Sequence, residues 1–265
     1  MEAGLRQGQF PLEAIAARAA VHPFYAGLPS GGVLLKADLY VAVESALRDR
    51  RAEVVNGVYW SPSGGTSSGV PLYFPTDTAE NHAQRRLLAE DMRSFDIFDA
   101  RTVAVILHGG SHMYRSLEIF TELVELCGGT PLPLGYSCDN KTVVEMARRF
   151  GANTLTGTPS RIAQLAQYVI STGNDVRFEH IHYSSEAMSQ ARLDFIQEAL
   201  GPARITSVYG SAETGVYAFK PADVPINQFI FDARGTHIDI VHDDDENNDD
   251  VSSGNIVVTC LTCGG

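Results

Sequence analysis

Cysteine, basic side chains and long apolar runs are all scarce in this chain of 265 residues, and each scarcity closes off a class of function. Four cysteines, Cys127, Cys138, Cys260 and Cys263, are too few for a disulfide framework at this length. Cys260 and Cys263 form a Cys-x-x-Cys pair, but no second pair or matched histidines follow, so a structural zinc site is not indicated; the spacing suits two thiols at a strand end. Lys plus Arg number 20 against 32 Asp plus Glu, a net charge of −12, which argues against a nucleic-acid backbone as partner. No apolar run approaches the ~18 to 20 residues that cross a bilayer, and the N-terminus lacks the basic-then-apolar layout of a secretory signal. The expectation is a cytoplasmic chain with no membrane partner. Two nucleotide signatures are also missing. No Gly-x-Gly-x-x-Gly follows a first strand with an acid about 20 residues later, which removes the usual dinucleotide reading. The one Gly-rich loop ends Gly69-Val70-Pro71 rather than in Gly-Lys-Ser/Thr, which removes the P-loop NTPases.

That loop, Ser61 to Pro71, is the feature to which the other motifs relate. Between Ser63 and Gly69 it holds three glycines and four hydroxyl side chains, a backbone free to wrap an anion with N–H and hydroxyl donors. An ordinary Gly/Ser surface loop has the same composition, so its neighbours must decide. A strand over 54–60 precedes it and Leu72 to Phe74 reads as a return strand, making a hairpin. Upstream, 11–20 and 39–51 carry helical spacing of apolar residues.

From Thr78 helix and strand alternate. Helices are expected over 79–91, 116–127, 141–150, 159–170 and 189–200, and strands over 102–107, 130–134, 153–157, 180–183 and 204–209. Five strands separated by helices imply right-handed crossovers and a mostly parallel α/β sheet with helices on both faces. After Val224 three strand-like runs, 229–232, 236–242 and 255–259, suggest an antiparallel segment. The acidic run Asp243 to Asp250 reads as a solvated loop between two of them, with cation binding the lesser alternative. The expected divisions are a helical lead-in over 1–60, an α/β core over 61–223 and a β segment over 224–265.

Ligands of open parallel sheets bind at the carboxyl ends of the strands, and there the residues are small and polar. His108-Gly109-Gly110, Gly157-Thr158-Pro159-Ser160, Ser184-Ser185-Glu186 and Gly210-Ser211-Ala212-Glu213-Thr214-Gly215 each follow a strand. Glu186 and Glu213 fall at corresponding strand ends. A carboxylate beside a phosphate can hold magnesium, and either glutamate can instead cap the helix that follows it. Tyr209 can pack in the core or stack on a base.

In that order, a hydroxyl-rich loop ending Gly-x-Pro, a Thr-Pro-Ser opening a helix, a Ser-Glu pair after a later strand and Tyr-Gly-x-x-Glu after the next resemble the adenylate-forming (AMP-binding) superfamily, most closely its phenylacetate–CoA ligase branch. The resemblance covers roughly 36–262. It implies the N-terminal α/β domain of such an enzyme and activation of a carboxylic acid by ATP to an acyl-AMP, then a thioester with coenzyme A. The branch implies an aromatic acid, with Tyr136, Tyr183 and Tyr217 near an apolar pocket, and a homodimer. By motif, Ser63, Gly64, Gly65, Thr66, Ser67, Ser68 and Gly69 would hold the β- and γ-phosphates, and Tyr209 would stack on adenine. Ser185, Glu186, Gly210 and Ser211 would complete the nucleotide site. Glu213 would be the catalytic residue through the Mg2+ it holds, and His108, Gly109, Gly157, Thr158, Pro159 and Ser160 would lie near the acid. Three departures accompany the likeness. Thr66 stands where a glycine is usual, and Ala212 where a threonine or serine is. The chain also ends before the family's Arg-Tyr strand, its Thr-Gly-Asp and its lysine-bearing C-terminal domain. It therefore reads as the N-terminal part of such a ligase, with a noncatalytic nucleotide- or acyl-binding scaffold as the alternative.

Overall fold

A computed structural model describes residues 17, 35–51, 56–63, 71–241 and 254–260. The helix expected over 11–20 falls outside the described residues except for Ala17, and the acidic run, Gly64 to Val70 and Cys263 lie outside them. The chain divides into two compact units, one of Met1–Gln84, Ser211–Tyr217 and Asp232–Gly265, the other of Arg85–Gly210 and Ala218–Phe231.

In the first unit, α1 (Lys36–Arg48) buries Ala42, Val43 and Ala46, the small apolar residues that recur on one helical face. It packs on β2 (Tyr73–Asp77), which pairs antiparallel with β1 (Val58–Pro62) in the register Val58↔Asp77 to Pro62↔Tyr73. The hairpin expected around the Gly/Ser loop is thus present. Its neck closes at Ser63, whose N–H donates to the Leu72 carbonyl at 2.6 Å and whose Oγ accepts from the Leu72 N–H at 2.9 Å. A second antiparallel pair, β9 (Thr236–Val241) with β10 (Asn255–Cys260), matches two of the three strands expected near the C-terminal end.

The second unit is built on a sheet. α2 (Thr78–Ser94) leads into β3 (Val103–Leu107), α3 (Ser116–Leu126), β4 (Thr130–Pro133), α4 (Asn140–Phe150), β5 (Thr154–Gly157), α5 (Pro159–Thr172), β6 (His180–Tyr183), α6 (Gln190–Leu200), β7 (Arg204–Ser211) and β8 (Gly215–Lys220). Of these elements, α2 up to Gln84, Ser211 of β7 and Gly215–Tyr217 of β8 are counted with the first unit. The strand order is β4-β3-β5-β6-β7-β8, and the first five run parallel. β5 and β6 are buried along their whole length, as a sheet covered on both faces requires. Val105, Leu107, Leu155 and Ile181 pack with Ile162, Leu165 and Val169 of α5 and Ile196 and Leu200 of α6. β4 tolerates Pro131 and Pro133 because it is an edge strand, paired only with β3.

Local signals stop and start the helices where the sequence places them. Asp139, Thr158 and Ser189 each accept a backbone N–H at the N-caps of α4, α5 and α6, and Pro159 opens α5. Gly151 and Gly173 take left-handed conformations at φ 62° and 64° to end α4 and α5.

Two expectations change. β8 is a strand that the sequence reading merges into the polar cluster before it; a three-residue turn after β7 admits only an antiparallel return. The strand expected over 229–232 is a single bridge, Ile230 to Phe219, because Pro225 and the left-handed Asn227 (φ 65°) precede it in a turn. Among the described residues no helix is long and apolar enough to cross a membrane.

Candidate functional site

Strand order makes β3 the point where the sheet's winding reverses: β4 lies on one side of it and β5, the next strand in sequence, on the other. Crevices at such reversals, beyond the carboxyl ends of the strands, are where open α/β sheets take ligands. The residues following β3 and β5 are His108-Gly109 and Thr158-Pro159-Ser160, so the topology puts the two groups expected near the acid side by side.

Their side chains differ in what they offer. His108 is fully buried, with Nε2 2.9 Å from Thr156 Oγ1 and its ring stacked on Phe120, centroids 4.1 Å apart and planes at 15°. Burial, with His182 nearby, pushes its pKa down to about 3, so it is neutral and packed, and the accessible part of this strand end is Gly109 and Gly110. Gly109 O accepts from Leu117 N at 2.9 Å, and a Cβ on Gly110 would come within 2.9 Å of the Leu117 side chain. Gly157 is buried against Ile162 and Leu107, where a Cβ would sit 3.4 Å from each. Thr158 is the N-cap of α5, its Oγ1 accepting from Arg161 N at 3.3 Å.

Ser160 and Glu186 meet. Glu186 Oε2 accepts from Ser160 N at 3.0 Å and from Ser160 Oγ at 2.5 Å, and Arg192 Nη1 lies 3.8 Å away. Glu186 therefore does serve a helix N-terminus, but that of α5, which precedes it, and not that of α6, which follows. A carboxylate there meets orphan N–H donors and the positive end of the helix dipole. Beside it Ser185 is exposed and held at φ 70°, a left-handed geometry that costs a serine of order 1 kcal/mol.

Sequence reasoning did not single out Arg161. Only 2% exposed, it donates from Nε to Tyr136 O (2.9 Å), from Nη1 to Asn140 Oδ1 (2.7 Å) and from Nη2 to Cys138 O (2.7 Å). It thereby ties the loop after β4 to the first turn of α5, while Tyr136 N donates to His108 O at 2.9 Å. Of the tyrosines expected near the acid, Tyr136 is exposed on this loop, Tyr183 is buried in the core of the second unit, and Tyr217 belongs to the first unit. The Arg161 position has the composition of any first-turn residue, and no signal in the chain marks it.

At the end of β7, Tyr209 is 48% exposed, with Gly210 exposed beside it, so this ring is not packed in the core. Phe229 lies against it, centroids 5.3 Å apart. Ser211 is the last residue of β7 and Glu213 lies in the turn after it, both within the first unit; Ser211 Oγ is 2.8 Å from Thr214 Oγ1. The turn is tight around Gly215 (φ 69°), where a Cβ would fall 2.4 Å from Gln84 Oε1. Gln84 Nε2 donates to Thr214 O at 3.1 Å. Ser63 is buried at the hairpin neck, and Gly64, Gly65, Thr66, Ser67, Ser68 and Gly69 lie outside the described residues. Among the described residues no three His, Cys, Asp or Glu side chains are grouped to hold a metal. A magnesium arriving with ATP needs only one or two carboxylates, its other ligands being phosphate oxygens and water, and Glu213 is chemically suited to that part.

No protein-family model matches the chain, and no curated protein matches it. Solved structures do. The chain is similar to 2-hydroxyisobutyryl-CoA ligase in its postadenylation state with 2-HIB-AMP, at TM-score 0.73 and 17% identity over 94% of this chain and 58% of that one. It is similar to ATP-bound MatB from Rhodopseudomonas palustris at TM-score 0.55 and 17% identity, covering 77% of this chain and 39% of that one. The luciferase-like enzyme of the nonluminescent mealworm Zophobas morio gives TM-score 0.55 and 17% identity over 77% and 48%. The chain spans a little under three fifths of the length of the 2-hydroxyisobutyryl-CoA ligase chains. At these identities the likeness is one of fold: a mixed α/β domain with a mostly parallel sheet.

Proposed function

We propose that the chain is the acid-activating part of an adenylate-forming acyl-CoA ligase, of the kind seen in the phenylacetate–CoA ligase branch, with an aromatic acid as its substrate. The observation that carries this reading is the order of strand ends. Thr158 to Ser160, Ser185-Glu186 and Tyr209-Gly210 follow β5, β6 and the body of β7, three consecutive neighbours in one parallel sheet. The resemblance requires those motifs in that sequence order. Structural likeness to a CoA ligase holding 2-HIB-AMP and CoA and to ATP-bound MatB adds support at the level of fold.

In the reaction a carboxylate oxygen attacks the α-phosphorus of ATP, the bond to pyrophosphate breaks, and the acyl-AMP forms. The sulfur of coenzyme A then attacks the acyl carbon, AMP leaves and the thiol proton is released. The acid is its own nucleophile, so the protein has to position the groups and meet charge. Tyr209 stacks on adenine, and Gly210 allows the base to approach the backbone. The hydroxyl-rich loop meets the departing pyrophosphate with N–H and hydroxyl donors. Glu213 would hold a magnesium ion bound with the nucleotide, and the ion would neutralise phosphate charge there. The neutral, buried His108 puts no charge beside the acid and shapes the crevice through its backbone. Acid-dependent exchange of labelled pyrophosphate into ATP by a full-length version of the protein is the test, with a panel of aromatic and aliphatic acids. Glu213→Gln is expected to lower the exchange by at least about 100-fold; unchanged exchange removes the magnesium role. Nucleotide binding with no exchange for any acid points instead to the scaffold reading.

A further inference from the structure

We propose that Phe229 is a positioning residue for nucleotide recognition, holding the Tyr209 ring in the orientation in which it stacks on a purine. The proposal rests on the reading of the chain as an adenylate-forming module.

A tyrosine that is 48% exposed at the end of a strand ordinarily samples several rotamers, and a ligand that stacks on it must fix one. Tyr209 has a brace. The Phe229 ring lies at 5.3 Å from it, centroid to centroid, with the planes at 37°, within the range of favourable tilted aromatic pairs. Phe229 in turn is fixed by the backbone. Its neighbour Ile230 exchanges two hydrogen bonds of 2.8 Å with Phe219, and the turn before it is closed by Gln228 N donating to Pro225 O at 3.1 Å. Phe219 is buried, with its ring 5.2 Å from Phe95 of the same unit. The bracing thus runs from the core through a two-bond bridge to an apolar ring, and from that ring to Tyr209.

Phe229 carries no donor or acceptor on its side chain, so its contribution falls on the stacking of the base and not on the phosphates. That separates it from a residue that merely stabilises the fold. Titration calorimetry on the full chain with ATP, and with inorganic tripolyphosphate as a base-free probe, reads the difference. Phe229→Ala is expected to weaken ATP about three- to tenfold while leaving tripolyphosphate unchanged, and Phe229→Tyr to restore ATP binding. If the alanine variant does not fold, Phe229→Leu, which keeps apolar bulk without a ring, is read by the same criterion. Unchanged or tighter ATP binding overturns the proposal, as does equal weakening of both probes. A wild-type chain that binds no ATP overturns the adenylate reading itself, and this inference with it.

Discussion

Three imidazoles, those of His108, His180 and His182, share the interior of the second unit with the rings of Phe98 and Phe120. Thr206 Oγ1 lies 2.7 Å from both His180 Nε2 and His182 Nδ1. One hydroxyl donates a single proton and accepts up to two, so at most one of these histidines accepts from it and at least one donates to it. Burial lowers the pKa of His108 and His182 to about 3 and that of His180 well below its ordinary value, with His182 and Arg204 adding to the shift of His180 and Asp99 opposing it. Unfolded, each titrates near 6.5, so below that pH the unfolded chain binds more protons than the folded one. Stability is full above pH 6.5 and falls as pH drops toward 3, by up to about 1.4 kcal/mol per pH unit for each histidine. Urea unfolding at pH 7.5 and pH 5 will show the loss, and His182→Gln will make it shallower; an unaltered slope contradicts the assignment. The alternation His180-Ile181-His182 is legible as two histidines on one face of a strand, but what covers that face is set by α3 and the segment holding Phe98, distant in sequence. For the same reason His108, whose place after a strand is readable, can be expected near a ligand although its ring is buried.

Helices and strands are readable wherever a chemical signal marks their ends. Thr158-Pro159, Ser189, Gly151 and Gly173 place the bounds of α4, α5 and α6 because each satisfies or terminates a helix through its own atoms. β8 is not readable, since Gly215-Val216-Tyr217 continues a polar cluster and only its pairing beside β7 makes it a strand. The loop after β4 is equally silent, because what orders it is Arg161, 21 to 25 residues away along the chain. Replacing Arg161 with Met leaves two carbonyls and an amide oxygen without their donor and is expected to cost about 3 kcal/mol or more. Arg161→Lys recovers only part, since a point-like ammonium does not match three acceptors around a planar fork. Chemical denaturation checks the magnitude, and limited proteolysis at Tyr136 to Asp139 checks that the loosened element is this loop; a lysine variant as stable as the parent contradicts the clamp.

At the scale of the molecule, the parallel sheet and its strand-end motifs agree, and the antiparallel hairpins β1–β2 and β9–β10 fall in a separate unit. The sheet is legible because five β-rich runs alternate with helices. The partition is not, because the first unit gathers three stretches of chain that no composition change marks. The central claim is that the oxygen of an acid attacks the α-phosphorus of ATP. A carboxylic acid labelled with 18O at both oxygens, incubated with a full-length version of the protein, ATP, magnesium and coenzyme A, tests it most directly, with AMP and phosphate read by mass spectrometry. The account predicts AMP carrying one 18O from the acid, and none in inorganic phosphate. ADP as the product, with the label in inorganic phosphate, would contradict it.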